Sequence, residues 1–226
     1  MIAEVKPSSP KVGALLGAMS IAEIAQAYAR AGAACLSVTT GTWHAGSIDM
    51  IADLAETGLP VLRKDFIVSN RHLKDSLDAG ASAVLLTCAL LRTKDVMRLA
   101  ERALELGLTP FVEAATAAEL DGLDLPAGAI LAINNRNIRV RETDDGGVAH
   151  SLALYPKARA LHAGLLVSAS GFLFPGDAAR ARHCGFDGIL VGTALLSGPQ
   201  SPERMARAFM DAIALDHPVA DAAGPR

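Results

Sequence analysis

Short apolar segments alternate with amphipathic segments along nearly the whole chain. Eight apolar segments have the composition of fully buried strands, and they span 2–5, 34–38, 60–64, 82–87, 109–114, 129–134, 164–169 and 188–193. Between them, apolar residues recur at helical spacing over 20–31, 47–56, 69–79, 94–106, 116–122, 149–161, 174–184 and 202–213. Strands that alternate with helices in this way predict an α/β protein with parallel strands.

The number of repeats favours a closed (β/α)8 barrel, the TIM barrel, over a doubly wound open sheet. Eight strand–helix units fit a barrel of about 250 residues, and the chain has 226. An open sheet usually has fewer strands and a glycine-rich first turn, whereas the first turn here reads EVKPSSP. We expect one catalytic barrel over 1–215 and, because periodicity is lost there, a disordered C-terminal tail over 216–226.

Charge, hydropathy and cysteine usage exclude several classes of function. The net charge is −3, and scattered lysines and arginines form no basic stripe for nucleic acid or an anionic membrane. The longest near-apolar run, AVLLTCALL, is less than half of the roughly 20 residues that a bilayer requires. Three separated cysteines without a C-x-x-C pair indicate reduced, mostly buried thiols. We therefore expect a cytoplasmic protein that binds a small molecule.

One predicted strand is interrupted by three consecutive charged residues. In LPVLRKDFIV, Arg63, Lys64 and Asp65 follow a buried segment, although isolated buried charges are costly. Alternate strand residues face the same side, so Lys64 shares a face with Leu62, and Arg63 and Asp65 share the other. Chemistry in such barrels lies at the carboxyl ends of the strands. Lys64 is therefore predicted to point into the barrel mouth and meet a substrate.

Polar residues end four other predicted strands in the same way. They are Glu4 and Lys6 in strand 1, Glu113 in strand 5, Asn134 and then Arg136 in strand 6, and Ser168 and Ser170 in strand 7. A single such residue could be purely structural, but two lysines and two glutamates at three strand ends are a stronger signal. Unlike charges in a partly dry mouth tune the pKa values of lysines and carboxylates for proton transfer.

Glycines and hydroxyls follow the last two predicted strands. SASGF contains Gly171, and VGTALL contains Gly192 followed by a short predicted helix. Glycine can simply allow a tight turn. However, many barrels bind phosphate after strands 7 and 8, on backbone N–H groups and the N-terminus of a short helix. The sequence therefore predicts a phosphate site there and a phosphorylated small-molecule substrate.

Eight motifs also carry a family resemblance that covers nearly the whole chain. In order they are AEVKPSSP, LSVTT followed by GS, VLRKDFIV, AGASAVLL, FVEA, INNRN, SASG and LVGTALL. Together they resemble the indole-3-glycerol phosphate synthase family of tryptophan biosynthesis. The resemblance implies a carbon–carbon lyase, a (β/α)8 barrel without metal or other cofactor. Its implied reaction closes a ring in 1-(2-carboxyphenylamino)-1-deoxyribulose 5-phosphate and releases carbon dioxide and water.

The resemblance also implies roles for individual residues. Lys64 resembles the general acid that protonates the ketone during ring closure, and Glu113 resembles the acid/base carboxylate of the later steps. Lys6 resembles the lysine that meets the substrate carboxylate and assists dehydration. The other implied positions are Glu4, Asn134 and Ser170 for positioning, the strand-6 Arg136, Ser9, Gly171, Gly192 and Thr193 for phosphate, and Phe66 and Leu85 for the anthranilate pocket.

Three departures from the family pattern lie near this site. Ala169 stands where family members usually carry glutamate, and Trp43 and His44 stand for an expected aromatic pair. The chain also begins at strand 1, without the N-terminal helical extension that the resemblance implies. We interpret His44 as a surface or packing residue rather than a catalytic base.

These departures leave three functional hypotheses open. The chain is an authentic synthase, a diverged paralogue of specialised metabolism that acts on a related phosphorylated or aryl-amine substrate, or a non-catalytic binding barrel. Buried charges have no evident use in a binding barrel, which argues against the third. The sequence also leaves open whether a homo-oligomer or a partner chain covers the N-terminal side.

Overall fold

Eight parallel strands close into a barrel in the computed structural model, which describes residues 1–136 and 147–214. A separate two-stranded hairpin follows the first strand. The strands are β1 (Ile2–Val5), β2 (Ser8–Ser9), β3 (Gly13–Ala14), β4 (Cys35–Thr39), β5 (Val61–Lys64), β6 (Ala83–Thr87), β7 (Thr109–Ala114), β8 (Ile130–Asn134), β9 (Leu166–Ala169) and β10 (Gly188–Val191). The predicted TIM barrel is confirmed. The expected tail over 216–226 lies outside the described residues.

Helices pack around the outside of the barrel between successive strands. They are α1 (Ile21–Arg30), α2 (Met50–Ala55), α3 (Asn70–Asp78), α4 (Thr93–Glu105), α5 (Ala117–Leu120), α6 (Ala149–Leu161), α7 (Pro175–Cys184), α8 (Thr193–Leu196) and α9 (Pro202–Ala214). The predicted short helix after Gly192 is α8. Periodicity therefore located every barrel strand and the outer helices α1–α7 and α9 to within a few residues.

Local sequence sets the ends of these helices. The Ser20 hydroxyl accepts a hydrogen bond from the Glu23 backbone N–H at 3.2 Å, and the Glu23 carboxylate accepts one from the Ser20 backbone N–H at 2.7 Å. This reciprocal capping box begins α1. At the C-terminus of α7, Gly185 ends the helix with φ of 113°, a left-handed conformation that glycine adopts without steric cost.

The barrel closes with each strand in register with its two neighbours. Ile2 of β1 pairs with Leu190 of β10 on one side and with Cys35 of β4 on the other. Inward-facing side chains below the mouth form an apolar cluster that includes Leu62, Phe111 and Leu190, with members between 0% and 8% exposed. The polar inward-facing residues are consequently displaced to the carboxyl ends of the strands, where the barrel opens.

A larger apolar layer lies between the strands and the helices. Val38, Leu86 and Ile133 point outward from three strands into this layer, where helical residues such as Leu99 and Phe209 meet them. Alternation along each strand therefore separates the two apolar regions. The helix layer fixes the strand positions, and the strand ends in turn fix the side chains of the mouth.

The hairpin β2–β3 is an element that the sequence did not predict. Ser8 pairs with Ala14, and Ser9 pairs with Gly13. The hairpin connects β1 to the outer helices beside the mouth. Within the described ranges, no helix is both long enough and apolar enough to cross a membrane.

The three cysteines are free and each is partly exposed. Burial raises the pKa of Cys35 to about 11 and that of Cys88 to about 12. The predicted free thiols are present, although they are less buried than expected. Since thiolates are the reactive form, these two cysteines are poor nucleophiles at neutral pH.

Candidate active site

Three charged side chains from β1, the turn after it and β5 meet inside the barrel mouth. Glu4 Oε1 lies 3.3 Å from Lys6 Nζ, and Glu4 Oε2 lies 3.1 Å from Lys64 Nζ. All three side chains are buried. We call Glu4, Lys6 and Lys64 the inner cluster. One carboxylate thus holds two predicted catalytic lysines on the same side of the mouth.

The ionisation of Glu4 follows from these two contacts. Burial alone would raise its pKa, but the ammonium groups of Lys64 and Lys6 outweigh burial and lower the pKa to about 2. Glu4 is therefore a carboxylate throughout the neutral range. Its fixed negative charge compensates the lysine charges, which would otherwise repel each other in a partly dry site.

A second carboxylate lies across the mouth on β7. Glu113 is buried, and its Oε1 accepts a hydrogen bond from Asn134 Nδ2 at 2.9 Å. The Asn134 Oδ1 in turn accepts the Arg136 backbone N–H at 2.9 Å. Because β7 and β8 are adjacent, this chain of contacts holds the Glu113 carboxyl group in one orientation.

An aromatic pocket opens beside Lys64. The rings of Trp43 and Phe66 stack with centroids 5.2 Å apart and an interplanar angle of 21°. The His44 ring packs on Trp43 at 4.1 Å. The residues that line this pocket are Thr39, Trp43, His44, Lys64, Asp65, Phe66, Leu85 and Glu113. The predicted anthranilate residues, Phe66 and Leu85, therefore share one pocket with Lys64 and Glu113, two of the predicted proton-transfer residues.

His44 is a buried residue of this pocket wall. Its exposed fraction is 2%, and its Nδ1 lies 2.9 Å from the Ser8 carbonyl oxygen. Of the two roles predicted for His44, surface or packing, its burial and the stack on Trp43 support packing. The contact to Ser8 ties the pocket wall to the hairpin β2–β3.

A wide cleft of about 850 Å³ lies on the other side of the inner cluster. Of the described residues that line it, Lys6, Lys11 and Arg136 are basic and Glu4 is acidic. Three predicted phosphate residues, Gly171, Gly192 and Thr193, also line it, as does Ser170, which was predicted for positioning. Ser9 is buried in the hairpin and is not among the lining residues. The excess of basic over acidic side chains among these residues suits an anion.

Two glycines in the cleft allow close backbone approach. A Cβ atom on Gly192 would lie 2.5 Å from Glu4 Oε1. Gly171 has φ of 73°, and a Cβ atom there would lie 2.7 Å from Asn135 Cβ. A side chain at either position would therefore displace a neighbour. Glycine at position 192 therefore lets the backbone of the cleft wall pack directly against Glu4 of the inner cluster.

A second group of charged and polar residues lies around Arg63, which faces α3 from the outer side of β5; Asp65 of this group also lines the aromatic pocket. Arg63 donates to the Thr40 hydroxyl at 3.1 Å, the Ser76 hydroxyl at 3.0 Å and the Asp65 carboxylate at 2.9 Å. Burial would raise the pKa of Asp65, but hydrogen bonds from Arg63, Thr40 and the Phe66 backbone lower it. We call Arg63, Asp65, Thr40 and Ser76 the outer cluster. As predicted, the side chains of Lys64 and Arg63 lie on opposite faces of β5.

Ser168 and Ala169 occupy opposite faces of β9. Ser168 was expected in the mouth, but it faces outward and accepts a hydrogen bond from Asn135 Nδ2 at 3.1 Å. Ala169 is the inward-facing residue, fully buried and in register with Asn134. Ser170 follows with φ of 63°, which ends the strand alternation and brings Ser170 to the cleft.

Sequence reasoning missed two residues of the mouth. Thr39 lines the aromatic pocket and Lys11 lines the cleft. The period of two along CLSVT places Thr39 on the same face as Ser37 and Cys35. A search for polar residues at the end of this strand, β4, would therefore have found Thr39. Lys11 lies in the hairpin, and no periodic signal marked its position.

The site chemistry rests on lysines, carboxylates and one amide. Over residues 1–136 and 147–214, no group of three or more histidine, cysteine, aspartate or glutamate side chains is arranged to hold a metal ion. The arrangement can exchange protons at Lys64, Lys6 and Glu113. It can also accommodate an anion in the wide cleft, whereas the aromatic pocket has a free volume of only about 20 Å³.

Comparison with known proteins matches this chain to one family over most of its length. The family model described as indole-3-glycerol phosphate synthase matches residues 1–208. An indole-3-glycerol phosphate synthase of Thermococcus kodakarensis is 39% identical over 214 residues, covering 93% of this chain and 92% of that protein. The protein of the same name from Pyrococcus furiosus is 38% identical, covering 94% and 92%.

Solved structures support the barrel fold at much lower identity. The 3-hexulose-6-phosphate synthase of Salmonella typhimurium superposes with a TM-score of 0.72 at 16% identity, covering 96% of this chain and 100% of that one. Tryptophan synthase subunit alpha of Legionella pneumophila gives a TM-score of 0.67 at 15% identity, covering 95% and 93%. At such identities the likeness concerns the fold alone.

Proposed function

The chain belongs to the indole-3-glycerol phosphate synthase family, and we propose that its barrel mouth converts 1-(2-carboxyphenylamino)-1-deoxyribulose 5-phosphate to indole-3-glycerol phosphate. In this proposal the chain is a cytoplasmic carbon–carbon lyase of tryptophan biosynthesis. One observation carries the proposal. Glu4 links Lys6, which lines the wide cleft, to Lys64, which lines the aromatic pocket.

This arrangement suits a substrate with a phosphate at one end and an aromatic ring at the other. The phosphate would bind in the cleft, on backbone N–H groups near Gly171 and Gly192 and on its basic side chains. The ring would enter the pocket beside Trp43 and Phe66. The ketone in the middle of the molecule would then lie near the inner cluster. Binding at both ends would hold the reacting carbons together.

Ring closure is the step assigned to Lys64. The ring carbon that bears the carboxylate attacks the ketone carbon, a carbon–carbon bond forms, and the carbonyl electron pair moves to oxygen. Lys64 Nζ gives that oxygen a proton, which is the role of a general acid. Glu4, ionised because of its two lysine neighbours, keeps Lys64 charged before the step.

Loss of carbon dioxide and then of water completes the conversion. The bond to the carboxylate breaks, and its electron pair restores the aromatic ring. The new hydroxyl group leaves as water, which requires an acid for the departing oxygen and a base for a proton on the adjacent carbon. We assign the acid to Lys6 and the base to Glu113, which Asn134 orients. Every step moves only electron pairs and protons, so the proposal includes no cofactor.

The proposal is tested by mixing the purified chain with the substrate and recording indole fluorescence and carbon dioxide together. The expected result is one carbon dioxide for each indole product, at a rate proportional to protein concentration. Lys64→Met, prepared in parallel, excludes a contaminating enzyme. A folded wild-type chain that releases neither product would overturn the proposed function.

A further inference from the structure

Thr39 carries a buried hydroxyl group that the proposed mechanism does not use. It ends β4, it is 2% exposed, and it lines the aromatic pocket together with Lys64 and Glu113. Its Oγ1 has no hydrogen-bond partner among the described residues. The next residue differs, because the Thr40 hydroxyl donates to Asp65 at 2.8 Å and accepts from Arg63.

A buried hydroxyl without a partner is unfavourable in a folded protein. Valine has nearly the same shape as threonine and would fill the position without that cost. A buried, unpartnered threonine hydroxyl in a residue that lines a pocket therefore points to a bound group that completes its hydrogen bonding. The pocket that Thr39 lines is also the one that contains the predicted general acid.

The strand register places Thr39 beside Lys64. The two residues are paired across the adjacent strands β4 and β5, which run about 4.8 Å apart. Both side chains point into the barrel, so an atom of a ligand above the two strands is within reach of both. A hydroxyl group also rotates freely and can direct its proton toward such an atom.

We propose that the Thr39 hydroxyl donates a hydrogen bond to the substrate ketone oxygen, the same oxygen that Lys64 protonates. This inference rests on the function proposed above and adds a substrate-contacting residue to it. Negative charge grows on that oxygen while the carbon–carbon bond forms. Two fixed donors, the Lys64 ammonium and the Thr39 hydroxyl, stabilise this charge better than one. After the proton transfer, Thr39 can accept a hydrogen bond from the new hydroxyl group.

Ser37 provides an internal control on the same strand face. Its Oγ also lacks a partner among the described residues, and it is fully buried. However, Ser37 pairs with Leu62 and does not line the aromatic pocket. If buried hydroxyls of β4 merely contact internal water, the two residues should behave alike. If Thr39 contacts the substrate, only Thr39 should matter for turnover.

The test compares Thr39→Val, Thr39→Ser and Ser37→Ala with the wild type in kcat, KM and thermal unfolding. We expect Thr39→Val to lower kcat at least about tenfold with little change in KM, because the contact strengthens in the transition state. Thr39→Ser should recover most of the loss, and Ser37→Ala should keep kcat within about twofold of the wild type. A Thr39→Val kcat within that range, or a loss that Thr39→Ser does not relieve, would overturn the proposal.

A binding measurement separates this inference from the proposed function. The probe is a substrate analogue whose ketone is reduced to an alcohol, titrated calorimetrically. If the wild type binds the probe but forms no indole product from the substrate, the proposed function fails. The Thr39 contact is then judged by the Kd alone. The alcohol has the tetrahedral carbon and hydroxyl group present after proton transfer, where Thr39 is proposed to keep its contact. Several-fold weaker binding in Thr39→Val therefore supports the contact, and an equal Kd refutes it. A wild type that neither binds the probe nor turns over substrate refutes both.

Discussion

The inner and outer clusters begin from adjacent residues of one strand yet differ in what surrounds them. Lys64 and Arg63 have nearly equal exposed fractions, 7% and 9%. Lys64 points into the mouth, to Glu4 and the aromatic pocket. Arg63 points toward α3, and the side chains of Ser76 on α3, Thr40 and Asp65 accept its hydrogen bonds.

The difference teaches that burial of a charge does not by itself identify catalytic machinery. The outer cluster directs its arginine donors to groups of neighbouring elements, so it fixes β5 against α3. The inner cluster borders two cavities, so its charges face a bound molecule. We therefore expect the inner cluster to determine turnover and the outer cluster to determine stability.

The largest expected effect is on turnover when the inner lysine is removed. Lys64→Met keeps the aliphatic part of the side chain but has no proton to give, so kcat should fall at least about 100-fold, as for loss of a general acid. The chain should stay folded, because Glu4 still pairs with Lys6. Steady-state kinetics and circular dichroism together test both statements. Turnover close to that of the wild type would remove Lys64 from its assigned role.

The acid dependence of stability should next reveal the carboxylate of the inner cluster. The pKa of Glu4 is about 2, below its ordinary value of 4.5. Its contribution to the free energy of unfolding is therefore complete above about pH 4.5 and is lost as the pH falls toward 2, a change on the order of 3 kcal/mol.

Unfolding in urea between pH 6 and pH 2.5 measures this contribution. Glu4→Gln should lose less stability over that interval than the wild type does. Asp65→Asn serves as the comparison from the outer cluster, since the pKa of Asp65 is also lowered and its effect has the same sign. Parallel curves for Glu4→Gln and the wild type would contradict the account of the inner cluster.

A change in the outer cluster should affect stability more than chemistry. Arg63→Met removes the donor to Thr40, Ser76 and Asp65 and leaves a partly buried carboxylate without its cation. We expect the free energy of unfolding to fall by about 2 kcal/mol. The kcat should change only a few-fold, because Arg63 does not face the substrate. A loss of kcat as large as that of Lys64→Met, at unchanged stability, would reverse the two assignments.

The smallest expected effect is protection by inorganic phosphate. Binding in the wide cleft should stabilise the chain by about 1.4 kcal/mol at ten times the Kd, which corresponds to a rise in Tm of about 4 °C. Lys64→Met should be protected as well as the wild type, whereas Lys11→Gln, in the cleft wall, should be protected less. Absence of any shift at high millimolar phosphate would count against the cleft as an anion site.

The sequence predicted the barrel well because its signals are local and repeated. Each strand is a short apolar run, and each helix repeats its apolar face, so eight units reinforced one interpretation. The hairpin β2–β3 escaped notice because strands of two residues carry no periodicity. Tertiary contacts, rather than local propensity, form such an element.

The candidate site was predicted less completely, and the reason is backbone geometry at the strand ends. The alternation rule placed Lys64 and Glu113 correctly at the mouth. It failed for Ser168, which lies on the outward face of β9 in register with Ile133, whereas Ser170 reaches the cleft because its positive φ breaks the alternation. A positive φ at a residue other than glycine has little sequence signal. The unpaired hydroxyl of Thr39 depends on neighbours from other strands, so only the folded arrangement revealed it.

The most direct test of the whole account is a crystal structure with the reduced-ketone analogue bound. We expect its phosphate near Gly171 and Gly192, its ring beside Trp43 and Phe66, and its alcohol oxygen about 3 Å from Lys64 Nζ. The contacts of Arg63 should be unchanged. An analogue bound away from the inner cluster, or with its ring in the wide cleft and its phosphate in the aromatic pocket, would contradict the account.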